Sequence, residues 1–164
     1  MPRLYISPAG SGDKSGSDIN NAASIGSLNT LIGKAGPGGE VLLLADQGDY
    51  NVTGILALTR GGAEGQPVVV RGIDSGGNAM AAHFIGSRPA DWQAGDASGN
   101  ELFKLGTGAD NLEFRDLRID NVGTAFRATA QSIMNWHYAN DGKQFGPVSD
   151  SELAQLAHYW NGFI

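Results

Sequence analysis

Cysteine is absent from all 164 residues, so disulfide staples, zinc thiolate sites and cysteine nucleophiles are excluded. No apolar run approaches the ~18 residues that a membrane span needs. Basic clusters are missing as well. Eleven Lys and Arg stand against 17 Asp and Glu, and a net charge of −6 argues against a phosphate-backbone partner. Neither nucleic acid nor membrane is expected as a partner. Met1-Pro2-Arg3 leads straight into Leu4-Tyr5-Ile6, with no apolar signal core. Two expectations follow: either the protein is not exported, or the chain begins after signal cleavage. His83, His137 and His158 share no metal-ligand spacing, and a structural role is expected for each. Asp13 and Asp18 lie in a glycine-serine loop without the spacing of a calcium-binding loop, so a turn is expected there. Gly33-Lys34 lacks both the spacing and the following hydroxyl of a phosphate loop.

Glycine is abundant. The 25 glycines are about twice the ordinary share of roughly 7%. Glycine loses the most backbone entropy on ordering, so this excess favours turns and short strands over helices. An apolar content of 41% is enough for a core. Ile25, Leu28, Leu31 and Ile32 recur at helical spacing, and Gly33 and Gly36-Pro37-Gly38-Gly39 close that segment. Val41-Leu42-Leu43-Leu44 is a continuous apolar run, the pattern of a strand buried on both faces. Short β-prone segments then follow at Ile55–Leu58, Val68–Val70, His83–Ile85, Leu102–Leu105, Leu112–Phe114 and Leu117–Ile119, separated by glycine or asparagine clusters. Helical periods are missing throughout this region. Such spacing without hairpin alternation predicts a solenoid whose turns stack on one another.

Five segments carry a family resemblance, in the family's order. Leu4-Tyr5-Ile6-Ser7-Pro8-Ala9-Gly10-Ser11 resembles the opening "YVSPxGSD" of the pectate-lyase-like β-helix superfamily. Ala35-Gly36-Pro37-Gly38-Gly39-Glu40-Val41-Leu42-Leu43 resembles its "A-x-PGDTVYL" junction, and Gly48-Asp49-Tyr50 its "GTY" turn. Gly65-Gln66-Pro67-Val68-Val69-Val70-Arg71-Gly72 is similar to "GNPITIRG", and Asn111–Asn121 to "NVTIRGLTIRN". The resemblance covers about residues 1–127. It implies a mainly β fold, a right-handed parallel β-helix with a cap helix and first coils, occupying residues 1–129. In the last coil Leu112, Phe114, Leu117 and Ile119 are expected to point inward, with a bend at Arg115-Asp116. Glu113, Arg118 and Asp120 are expected to face solvent.

The resemblance also implies a secreted, extracellular or periplasmic bacterial protein that binds or cleaves polysaccharide. Family members use acidic residues to hold calcium and a basic residue to abstract a proton beside a uronate carboxylate. Calcium enters the expectations only by this route. Here Glu113, Arg115, Asp116, Arg118, Asp120 and Arg127 sit on opening coils, so a solvated face of paired charges is expected, without catalysis in this chain. For carbohydrate binding, the candidates are Trp92 as a stacking platform and Arg115, Arg118 and Asp120 as polar contacts.

From Trp136 onward the character changes. Trp136-His137-Tyr138 and Gln144-Phe145 flank Asn140-Asp141-Gly142, a hairpin signal, and Ser149-Asp150-Ser151-Glu152 is a capping box ahead of Leu153, Leu156 and Trp160. Residues 130–164 are thus expected to form an α+β hairpin-helix tail, which resembles part of a GYF-like domain through Trp136, Tyr138, Gly142, Gly146-Pro147-Val148-Ser149, Glu152-Leu153 and Leu156. That likeness implies a proline-rich peptide as partner, with Trp136, Tyr138, Phe145, Pro147 and Phe163 as candidate contacts. The strands that normally follow the family's helix are missing. A natural fusion, a shortened chain and a chimera all fit the seam, and an adhesin-like structural role is a third reading. A solenoid of few coils exposes strand edges, so weak self-association is also expected.

Overall fold

The structure is a computed structural model that describes residues 1–93 and 101–128. The tail over 130–164, with its hairpin, helix and peptide-contact candidates, lies outside the described residues.

The described chain is mainly β, as the sequence predicts. It opens with β1 (Arg3–Ser7), β2 (Ala23–Ser24) and the helix α1 (Leu28–Ala35). Nine strands follow in three triplets. The first is β3 (Glu40–Leu44), β4 (Tyr50–Asn51) and β5 (Leu56–Leu58). The second is β6 (Val68–Ile73), β7 (Ala82–Ile85) and β8 (Glu101–Leu105). The third is β9 (Leu112–Arg115), β10 (Leu117–Asp120) and β11 (Thr124–Ala128). Each triplet contributes one strand to each of three sheets, ordered β2-β1-β3-β6-β9, β10-β7-β4 and β11-β8-β5. Every pairing between these strands is parallel. The chain therefore makes three circuits, each laid on the last.

Register decides which side chains stack. Leu4, Val41, Val70 and Phe114 form one row in the first sheet. Tyr50, Phe84 and Ile119 form a row in the second, and Leu56, Phe103 and Phe126 one in the third. All three rows face one core. Rings link them there: Tyr50 stacks on Phe84 at 4.9 Å, and Phe103 stacks on Phe126 at the same distance. Phe84 meets Phe103 edge-on at 5.4 Å, and Phe114 touches both Phe103 and Phe126. Leu112, Phe114, Leu117 and Ile119 pack against this core, as expected.

Sheet one is covered on its other side too. Leu42, Leu44 and Ile73 pack with Tyr5, Ile19 and Ala22, so the excursion between β1 and β2 lies over the outer face. This explains the uninterrupted apolar run of β3. Asp18 holds the excursion together by accepting from the backbone N–H groups of Asn20 and Asn21 and from the Asn21 amide. The loop at Asp13 and Asp18 is thus a turn built from local hydrogen bonds.

The α-helix begins later than the sequence suggests. Ile25–Ser27 form a single 3-10 turn, and the helix closes at Gly36, whose φ of 63° and N–H bond to the Ile32 carbonyl terminate it. Leu28, Leu31, Ile32 and Ala35 are its buried stripe.

Circuits approach closely where glycine allows it. A Cβ at Gly72 would collide with the carbonyl oxygens of Met80 and Asp116, whereas one at Gly54 meets nothing within 4 Å. Gly72→Ala is expected to destabilise the fold by about 1–3 kcal/mol. Gly54→Ala should stay within about 0.5 kcal/mol of the parent. Urea unfolding measures both, and equal costs at the two sites would contradict the stacking.

Candidate functional site

Fixing the inward rows fixes the outward ones. On the second sheet the residues beside the inward Tyr50, Phe84 and Ile119 are Asp49, His83 and Arg118, one from each circuit. Asp120 follows two places on, in register with Ile85. These outward side chains interlock. His83 Nδ1 lies 2.9 Å from Asp49 Oδ1 and its Nε2 lies 2.7 Å from Asp120 Oδ2. Arg118 Nε donates to the same Asp120 oxygen at 2.9 Å. Both histidine contacts are hydrogen bonds only when each ring nitrogen carries a proton. One imidazole ring thus bridges carboxylates of the first and third circuits.

The corners of this sheet are sharp. Asp116, with φ of 52°, is the single residue between β9 and β10, and Asn121, with φ of 57°, follows β10. Asp and Asn tolerate this left-handed conformation better than other side-chain-bearing residues. The Asn121 amide also donates to the Gly86 carbonyl of the circuit before, at 2.8 Å. At the same corner the Arg88 backbone N–H donates to the Asn121 carbonyl, and its guanidinium lies 5.4 Å from the Trp92 ring centroid. Trp92 is partly buried, and its backbone N–H donates to the Pro89 carbonyl.

Three of the four carbohydrate candidates therefore belong to one region. Arg118 and Asp120 lie on the outer face, and Trp92 is tied through Arg88 to the corner that β10 enters. Arg115 sits beyond the opposite corner, donating to Glu113 at 2.6 Å. Trp136, Tyr138, Phe145, Pro147 and Phe163 lie outside the described residues. Arg115 and Arg118 each commit Nε to a carboxylate, while their side chains remain half or more exposed. Their terminal nitrogens can thus serve as outward donors, and a guanidinium presents a planar fork that suits carboxylates and vicinal hydroxyls.

Sequence reasoning missed Asp49 and Arg88, and saw in His83 only a structural residue. The available signal was positional: Asp49, His83 and Arg118 each precede a large inward side chain. Among the described residues no group of three His, Cys, Asp or Glu is arranged to hold a metal ion. None of the described helices is long and apolar enough to cross a membrane. No family model, curated protein or solved structure matches the chain.

Local hydrogen bonds also set the acid response. The bond from His83, aided by Arg118, holds the Asp120 carboxyl below the usual aspartate range. Asn21 does the same for Asp18, Ser75 for Asp46, Asn78 for Asp74 and Arg115 for Glu113. Depressed carboxylates contribute stability that is present above their unfolded pKa and lost as pH falls through their folded pKa. Thermal melting temperatures should therefore hold steady down to about pH 4.5 and fall below about pH 4. Asp120→Asn should make that fall shallower. A melting temperature that rises toward pH 3 would contradict the assignment.

Proposed function

We propose that residues 1–129 are the cap and first coils of a right-handed parallel β-helix of the pectate-lyase-like kind. We infer further that the protein is a secreted, carbohydrate-binding member of that class, and that these coils hold polysaccharide without cleaving it. The observation that carries the reading is the in-register stacking of Tyr50 on Phe84 and of Phe103 on Phe126 across parallel circuits. A solenoid presents repeated outward rows along its length, which suits a repeating polymer.

The outer face of the second sheet and its corners form the binding strip in this reading. Trp92 offers an aromatic face, Arg118 and Arg115 offer guanidinium donors, and Asp120 accepts sugar hydroxyls. Binding fits this face better than catalysis. Asp120 and Glu113 already accept from arginine, and Asp49 lies within hydrogen-bond distance of His83, so none stands as an unengaged general base.

Retardation in gels containing polygalacturonate, alginate or chondroitin tests the reading. Saturable binding to at least one of these polymers is expected, weakened about tenfold by Arg118→Ala or Trp92→Ala, as loss of one charge-assisted or stacking contact implies. Unsaturated products should be absent. Failure to bind any of the three, or turnover that disappears in Arg118→Ala, would contradict it.

A further inference from the structure

A second feature lies away from that strip. Between α1 and the chain that follows β5 is an open cleft of about 640 Å³, lined in part by Asn29, Lys34, Pro37, Thr59, Arg60 and Gly108. Its two cations, Lys34 and Arg60, are exposed and have no carboxylate within ion-pair distance among the described residues. Arg3, Arg115, Arg118 and Arg127 each have one. Among the described residues no acidic side chain lines the cleft, although the chain carries a net charge of −6.

The walls are built rather than incidental. The Asn29 amide donates to Thr59 Oγ1 at 3.1 Å, and the Thr59 N–H returns a bond to Asn29 Oδ1 at 2.8 Å. This reciprocal pair locks the helix to the end of β5 and sets the two cations in one opening. The stem of Arg60 lies across Gly33, where a Cβ would stand 3.3 Å from Arg60 Cγ. Gly61 and Gly108 pack against the backbone of Asp110 and Thr59 so closely that neither place admits a side chain. These backbone contacts join the segments that carry Thr59, Arg60 and Gly108 along one wall of the cleft.

We propose that this cleft binds the carboxylate-bearing end of an acidic oligosaccharide. The volume falls in the range of small-molecule sites, roughly 300–1,000 Å³, and far exceeds a bare ion. Lys34 supplies a point charge and Arg60 a planar fork, a combination that suits one carboxylate. Asn29 and Thr59 offer amide and hydroxyl groups matched to sugar hydroxyls, and Pro37 offers an apolar edge. The inference rests on the carbohydrate reading, and it adds a second contact point on a different face of the same circuits.

Titration of the full chain with trigalacturonate, neutral galactotriose and inorganic sulfate, followed by amide nuclear magnetic resonance shifts, tests it. Trigalacturonate should give saturable shifts at Asn29, Lys34, Thr59 and Gly108. Lys34→Ala and Arg60→Gln should each weaken that response about tenfold, the loss expected for one charge-assisted contact, while the remaining spectrum stays unchanged. Arg118→Ala should leave the cleft response intact. Shifts confined to β10, or insensitivity to both cleft variants, would overturn the cleft while leaving the binding strip standing. Sulfate matching trigalacturonate would overturn the saccharide assignment. A chain that shows no shift anywhere would overturn both sites.

Discussion

Everything in the described structure depends on inward side chains landing on their counterparts one circuit away. Parallel strands hold equivalent residues about 4.8 Å apart, close enough for rings to stack and branched chains to interdigitate. Tyr50 shows how much rests on one such place. Its ring stacks on Phe84, and its buried hydroxyl lies 2.9 Å from the Ile6 carbonyl and 3.1 Å from the Leu44 carbonyl. A single side chain thereby joins β1, β3 and the second circuit. Burial pushes the Tyr50 hydroxyl well above the ordinary tyrosine range, so it stays a donor at any physiological pH. A slip of one residue in any strand would turn these rings to solvent and bring Asp49 or His83 inside.

The same constraint creates the surface. Once Tyr50, Phe84 and Ile119 face inward, Asp49, His83 and Arg118 must face outward in a row. Polar side chains 34 and 35 positions apart in sequence thus become neighbours. On the third sheet Ala57, Lys104 and Arg127 are aligned by the same rule. A one-residue corner at Asp116 and a three-residue corner that opens with Asn121 keep the last circuit short, so the sheets meet at sharp edges where loops such as the one carrying Trp92 can lean. The functional proposals both follow from geometry of this kind. One uses the outward row, and the other uses an opening between the helix and the chain that follows β5.

Much of this was legible in the sequence. β3 and β5 to β10 were, because each falls on a short β-prone segment set off by turn-forming residues, whereas β2 was not foreseen and β4 falls on a segment read as a turn. Burial of Val41–Leu44 on both faces was legible because four apolar residues in succession leave no solvent face. The helix start was misplaced by three residues, because Ile25–Ser27 form a 3-10 turn instead. Of the glycines expected to close the segment, Gly33 is carried inside the helix at a cost of only about 1 kcal/mol, and the stop comes from the positive φ at Gly36. β11 was not foreseen, because Thr124–Ala128 becomes a strand through pairing with β8. Contacts between circuits were hidden for a definite reason: the repeat is irregular. Val41 to Val70 spans 29 positions and Val70 to Phe114 spans 44, while Leu56 to Phe103 spans 47 and Phe103 to Phe126 only 23. Insertions between the strands absorb the difference, so no fixed period brings Asp49, His83 and Asp120 together on the page.

The absence of cysteine makes the central claim, stacking of circuits in a fixed register, directly measurable. Ala57 and Lys104 are exposed register partners in adjacent circuits, and Arg127 stands one circuit further on. Neighbouring parallel strands bring Cα atoms to about 4.8 Å, within disulfide range, whereas two strands apart is roughly 10 Å and too far. Mild oxidation of the Ala57→Cys, Lys104→Cys double variant should give an intramolecular disulfide in the folded protein. The Ala57→Cys, Arg127→Cys pair should stay reduced under the same conditions. Cross-linking of the second pair in preference to the first would contradict the register, and with it the account built on it.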